Sequence, residues 1–141
     1  MTAEYARVRI HSASEGLSRW GAYLAIDKRI GNWKPYIYYA KMRSTGKALD
    51  LYQAIEAVSH NPALPGVLRN YQTFNADIVS GYDQWTGAIG TSYRLSPASL
   101  LKAEYAHTRT GVVSSFIDAP VGSDSSGRHL NVVSVSYNFT F

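Results

Sequence analysis

The chain of 141 residues contains no cysteine and no run approaching the roughly 20 consecutive apolar residues that a membrane-spanning helix needs. The first absence removes disulfide and thiol chemistry and the thiolate ligands of a structural zinc site. The second removes a helical membrane protein. Charge is sparse too: 14 Lys and Arg stand against 10 Asp and Glu, a formal +4. The cations are scattered singly, without a patch interleaved with stacking aromatics, so the pI near 9.4 does not amount to a nucleic-acid surface. His11, His60, His107 and His129 fall in no metal-ligand spacing, and neither a glycine-rich phosphate loop nor a nucleophile elbow is present. Ser134 and Ser136 stand opposite a His-bearing strand, a coincidence that abundant Ser and His make easy. The residues therefore point to no enzyme, no cofactor and no metal site, although His107 and His129 could approach each other across the connection between their strands.

What the chain has in quantity is alternation. A first strand is predicted from Thr2 to His11, followed by a turn at Ser12 to Gly16, and a second from Leu17 to Ile30. In the second, Trp20, Ala22, Leu24 and Ile26 share one parity while Arg19, Gly21, Tyr23, Asp27 and Arg29 share the other. Gly31 and Asn32 make a tight reversal, since both tolerate positive φ. A third strand from Trp33 to Arg43 is rich in aromatics but its register is open, because Tyr36 and Tyr38 oppose Ile37 and Tyr39. Pro35 fits only near a strand start or an irregularity. The fourth strand, Gln84 to Leu95, sets Trp85, Gly87, Ile89, Thr91, Tyr93 and Leu95 against Gln84, Thr86, Ala88, Gly90, Ser92 and Arg94. After a turn at Ser96, Pro97 and Ala98, the fifth strand, Leu100 to Thr110, sets Leu101, Ala103 and Tyr105 against Lys102, Glu104, Ala106 and Thr108. The strand His129 to Phe141 completes six that can pair as consecutive antiparallel hairpins.

Two long connections interrupt the hairpins. The one from Ser44 to Tyr82 carries a short helix, because Leu49, Ile55 and Val58 interleave with Asp50, Gln53 and Glu56 at helical spacing, and Asn61, Pro62, Pro65 and Gly66 end it. The other, Gly111 to Gly127, is rich in Ser, Gly and Asp. A small echo accompanies them. Ala3, Glu4, Tyr5 and Ala6 recur as Ala103, Glu104, Tyr105 and Ala106, each followed three positions later by an arginine, which would put Tyr5 and Tyr105 on one face at equivalent heights and Glu4 and Glu104 on the other.

The last strand is the most specific feature. Val133, Val135, Tyr137, Phe139 and Phe141 line one face, and Val132, Ser134, Ser136, Asn138 and Thr140 line the other. A closing strand of this kind, with a terminal phenylalanine, resembles the carboxyl-terminal strand and assembly signal of Gram-negative outer-membrane β-barrels. The succession from Gly87 to Pro97, then Leu101 to Tyr105, then the final strand is similar to the end of general porins, and Trp33, Lys34, Pro35 and Tyr36 resemble one of their upward strands.

The resemblance implies an all-β fold, an antiparallel transmembrane β-barrel portion of about six meander strands with one long external loop carrying a short helix. With the carboxyl terminus periplasmic, both long connections fall outside the cell and the tight turns inside, the asymmetry of these barrels. The implied function is passive diffusion of small hydrophilic solutes or ions through a water-filled channel. The implied partners are outer-membrane lipid, the barrel-assembly machinery and further copies in a homotrimer. Lumen-facing charges then set the field that a permeating ion feels: Arg94, Lys102 and Glu104 first, Arg19 and Arg29 next, with Arg43 and Arg109 near the outer mouth and Arg94 and Lys102 near the inner one.

Single-chain barrels start at about eight strands, and an open edge in hydrocarbon leaves backbone groups unpaired. Residues 1–141 are therefore expected to be the carboxyl-terminal part of a longer barrel, an expectation joined by the lack of a secretory leader around Met1, or else a subunit whose strands join those of other copies. Two rival functions stay open. A surface-recognition or adhesion barrel would keep the strands and bind a partner through its long connections, and a soluble β-sandwich would bury the Val133 face against a second sheet.

Overall fold

The computed structural model describes residues 1–9, 18–59, 62–63, 65–68, 81–114 and 126–140. Six antiparallel strands form one sheet in chain order: β1 (Thr2–Val8), β2 (Arg19–Asp27), β3 (Trp33–Ser44), β4 (Tyr82–Ser96), β5 (Ser99–Ser114) and β6 (His129–Phe139). The helix α1 (Gly46–Ser59) lies between β3 and β4. The sheet is open, not closed into a barrel: β1 and β6 each pair along one edge only among the described residues. The turn at residues 12–16, most of the last connection and Phe141 lie outside the described residues.

The two ends of the sheet differ as the turn chemistry dictates. At one end Ile30 and Trp33 exchange backbone hydrogen bonds of 2.8 and 3.0 Å around Gly31, whose φ of +61° is reached without the Cβ penalty of other residues. At the same end Ser96 and Ser99 hydroxyls meet at 2.8 Å across Pro97 and Ala98. Both long connections leave from the opposite end. There β5 runs four residues past its expected end at Thr110. Thr110 and Arg128 hold each other through Thr110 N to Arg128 O at 3.0 Å and Arg128 N to Thr110 Oγ1 at 2.8 Å.

Register settles which residues share a face, since partners directly opposite project the same way. The row Ile26, Ile37, Ile89, Tyr105 and Val133 runs unbroken from β2 to β6, and the row Trp33, Tyr93, Leu101 and Tyr137 lies nearer the tight turns. Tyr39, Trp85 and His107 occupy this face toward the long connections. The opposite face carries Tyr23, Tyr36, Tyr38, Gly90, Thr86, Thr108, Lys102, Glu104, Ser134 and Ser136. The open register of β3 is thereby decided: Ile37 and Tyr39 are on the apolar face, Tyr36 and Tyr38 on the polar one. The echoed Tyr5 and Tyr105 share the apolar face, and Glu4 and Glu104 the polar one, yet they are not in one row. The row of Tyr5 passes through Ala22, Lys41 and Trp85 to Arg109, four residues beyond Tyr105.

Apolar side chains are mostly outside. Ile89, in the middle of central strand β4, is 61% exposed, and Val133 and Val135 are 75% and 70% exposed. Contiguous exposed apolar patches of this kind are uncommon on monomeric soluble proteins. The buried cluster is small: Leu49 and Tyr52 of α1 meet Val113 of β5, with Ile55 and Val112 packed beside them. It fastens α1 to the end of the sheet from which it springs. Thr45 supports the helix start, its carbonyl accepting from Ala48 N at 3.0 Å and Leu49 N at 3.1 Å. Leu49→Ala is expected to cost about 2–3 kcal/mol. Because only the docking of α1 depends on Leu49, amide exchange should quicken in 46–59 while the β3 to β6 ladder keeps its protection.

Candidate functional site

The polar face carries a cluster of charged and tyrosine side chains built across three strands. β3 contributes Tyr36 and Tyr38, β5 contributes Lys102 and Glu104, and β4 passes between them. Tyr36, Gly90 and Glu104 are successive members of one cross-strand row. Strands two apart are separated by about 9.6 Å, so a tyrosine on β3 touches β5 only if the residue between lets its ring lie down across the strand. Gly90 does so. A Cβ there would collide with the Tyr36 phenol and would stand 2.9 Å from the Ala103 carbonyl oxygen.

With that gap available, the Tyr36 hydroxyl donates to Glu104 Oε2. The Tyr38 hydroxyl reaches Glu104 Oε1 at 3.5 Å, and Lys102 Nζ is 3.1 Å from Glu104 Oε2 while lying 5.3 Å from the Tyr36 ring centre. Tyr23 packs its ring 5.7 Å from that of Tyr38. In the same row as Tyr36, Asp27 carries an ion pair to Lys34 at 3.2 Å. The carboxylate of Glu104 thus has three donors around it, and its side chain is 17% exposed against 42% for Lys102. The charge that faces outward from this cluster is mainly the lysine's. Farther along the face, the Thr86 and Thr108 hydroxyls meet at 2.8 Å.

Of the five residues expected to line a lumen, Lys102 and Glu104 are brought together. Arg94 is on the same face, exposed, on the turn side of Lys102. Arg19 stands at the opposite end of the sheet, its guanidinium 5.0 Å from the Tyr82 ring centre. Arg29 lies beyond the end of β2 and is exposed, between Lys28, whose N donates to Pro35 O at 3.2 Å, and Ile30, which bridges Trp33 in the register of the ladder that ends at Asp27 and Tyr36. It keeps the parity of Arg19 and Asp27, at the tight-turn end of the sheet. Arg43 and Arg109 depart from expectation in face: they pair with Trp20 and Trp85, on the apolar side. Of the assembly-signal residues, Val133, Val135, Tyr137 and Phe139 line the apolar face of β6 as expected.

Tyr23, Tyr36, Tyr38 and Gly90 were not among the expected site residues. Tyrosines of both parities in β3 concealed the site, and Gly90 looked like any small residue until its row was known. Ser134 and Ser136 pair with Glu104 and Lys102, on the face opposite to that of His107.

Comparison of the chain with protein-family models, with curated proteins and with solved structures finds no match.

The interlock of Tyr36 and Gly90 makes a quantitative expectation. Gly90→Ala should destabilise by about 2 kcal/mol, through steric displacement and loss of a bond to a charged acceptor. In a Tyr36→Ala background the same change should cost less than half as much, only the Ala103 carbonyl remaining in the way. A double-mutant cycle by denaturant titration should return a coupling of about 1 kcal/mol or more; additive costs would refute the interlock.

Proposed function

We propose that this chain forms part of the wall of an outer-membrane porin, its apolar face toward lipid and its Tyr36–Lys102–Glu104 face toward a water-filled lumen through which small hydrophilic solutes and ions diffuse. The observation that carries this reading is the arrangement of the bare apolar face, which has aromatic side chains at both ends. Trp33 and Tyr93 pack at 4.6 Å and Tyr137 and Phe139 at 5.9 Å near the tight turns. Tyr5 and Trp20 at 6.3 Å, Tyr39 and Trp85 at 5.9 Å, and Trp85 and His107 at 5.5 Å lie toward the long connections. Trp85 and Tyr93 are eight residues apart on one strand, about 27 Å along it and about 21 Å along the normal at a 40° tilt. That matches an apolar band of about 25 Å between interfacial girdles.

Cations of the apolar face support the orientation. Arg7, Lys41, Arg43 and Arg109 sit at the end of the long connections, level with or beyond the outer aromatic side chains, Arg43 paired there with Asp83 at 3.6 Å. At that height on the proposed reading they lie at headgroup level and not in hydrocarbon. The open edges of β1 and β6 call for further strands, from the same chain or from other copies, before a lumen can close. The alternating face of β6 supplies what an assembly machinery could read as a strand. In the lumen, an exposed Lys102 beside a donor-screened Glu104 favours anions slightly.

Two expectations test the reading. Val133→Arg, midway on the lipid side between the Trp85 and Tyr93 rows, should cost about 2–4 kcal/mol in bilayer-refolded protein, whereas Ser134→Arg on the next residue should cost under about 1 kcal/mol. Equal costs would remove the assignment of faces. In planar bilayers the refolded protein should pass ions in discrete steps, and Lys102→Glu should move the reversal potential toward cation selectivity. A lipid-inserted β form without conductance would instead support a surface-recognition barrel, and a chain that stays monodisperse in buffer without detergent would overturn the membrane reading.

A further inference from the structure

The antiparallel register of β5 and β6 sets Arg109 opposite His129 and His107 opposite Asn131, so that His107 and His129 stand diagonally adjacent on the apolar face near the long connections. Their ring centres are 5.4 Å apart with planes inclined at 41°. His107 is held from behind. Its Nδ1 lies 2.7 Å from Asn131 Oδ1, and the Tyr105 hydroxyl donates to the same oxygen at 2.8 Å. A carboxamide oxygen accepts and cannot donate, so Nδ1 of His107 carries the hydrogen and Nε2 is left with its lone pair. That lone-pair nitrogen faces Nδ1 of His129 at 3.5 Å.

A separation of 3.5 Å is long for a nitrogen-to-nitrogen hydrogen bond. It is close to the span of about 3.3–3.4 Å that two imidazole nitrogens take on a tetrahedral metal ion with bonds of 2.0–2.1 Å. An imidazole whose remote N–H is fixed by an oxygen acceptor is also the arrangement that orients and strengthens a metal ligand. We infer that His107 and His129 form a two-imidazole site for a divalent transition-metal ion of the zinc or copper class, with His107 aimed by Asn131 and Tyr105. Among the described residues no group of three or more His, Cys, Asp and Glu side chains converges. The described residues therefore supply two ligands, His107 and His129. Arg109, opposite His129, holds the affinity down by its like charge.

Bound metal would tie β5 to β6 at the end where the last long connection leaves them, adding stability in proportion to the logarithm of metal over its dissociation constant. The inference is independent of the membrane reading, because it uses only the pairing of two strands. Trp85 supplies the readout: its ring centre is 5.5 Å from that of His107, so a bound paramagnetic ion quenches it.

The experiment uses the full chain carrying Trp20→Phe and Trp33→Phe, refolded in whichever solvent, micelle or buffer, keeps it monodisperse. Copper(II) is titrated against Trp85 fluorescence, and zinc(II) is then added in competition. Saturable quenching is expected, reversed by zinc only in large excess because copper binds imidazole more tightly, with loss of that phase in both His129→Ala and the size-preserving His129→Gln, and a 10–100-fold weaker midpoint in Asn131→Ala. Quenching of the same midpoint in His129→Gln as in the parent would overturn the site. An unchanged midpoint in Asn131→Ala would overturn the positioning role of Asn131.

Discussion

Everything in this molecule depends on the register of five consecutive antiparallel ladders. A strand's side chains alternate with a period of two, so a slip of one residue anywhere would move an entire strand's apolar set to the polar side. Here the slip never occurs: the partners of Ile37 are Ile26 and Ile89, and those of Tyr105 are Ile89 and Val133. The register shifts in the β4–β5 ladder fall at its two ends, between Tyr82 and Gln84 and between Arg94 and Ser96, where they bend the strand without disturbing the middle rows. The two-residue reversal at Gly31 and Asn32 and the short turn at Pro97 and Ala98 hold the register by geometry. The long connections exert no such control, and there cross-strand bonds such as Thr45 N to Ser18 O at 2.9 Å and Tyr82 N to Ser44 Oγ at 3.0 Å take over.

The polar cluster is a product of the same constraint and not a separate device. Because register puts Gly90 between Tyr36 and Glu104, the absence of one Cβ on β4 allows a side chain of β3 to hydrogen-bond one on β5. The ring then lies flat along the sheet instead of projecting from it. As a consequence the acidic member of the Lys102–Glu104 pair is wrapped by donors while the basic member is left in the open. A polar surface of nearly balanced formal charge thereby acquires a local sign.

The strands and the helix were legible in the sequence because periods of two and 3.6 are local properties, and the ends of β3, β4 and β6 fell within two residues of expectation. Leu49, marked by helical spacing, is a buried anchor of α1. What was not legible depends on partners remote in sequence. Arg43 and Arg109 were expected at a lumen mouth from their nearness to strand ends, yet their faces follow from Trp20 and Trp85 opposite them. Tyr36, Gly90 and Glu104 are separated by 54 and 14 positions, and no local pattern marks a row. His107 and His129 failed every spacing rule for metal ligands because those rules describe one turn, helix or hairpin tip. Two strands joined by a long connection bring ligands together without leaving a motif.

The unpaired edges carry the last step. Sheets that end in water defend their edges with charge, proline or a bulge, because bare N–H and C=O groups recruit other strands. β6 has none of these: its sequence from His129 to Phe139 contains no Lys, Arg, Asp, Glu or Pro, and its ladder with β5 shows no register shift. It has the composition of a strand paired on both sides. β1 is defended only by Glu4 and Arg7, which project from the two faces and not along the edge. Hydrocarbon penalises an open edge far more than water does, since nothing there can satisfy it. On the proposed reading, the bare apolar face and the edges of β1 and β6 that are unpaired among the described residues make one demand: whatever environment accepts the face must come with strands that accept the edges. A closed barrel meets both at once, and a second sheet packed over the Val133 face would meet only the first.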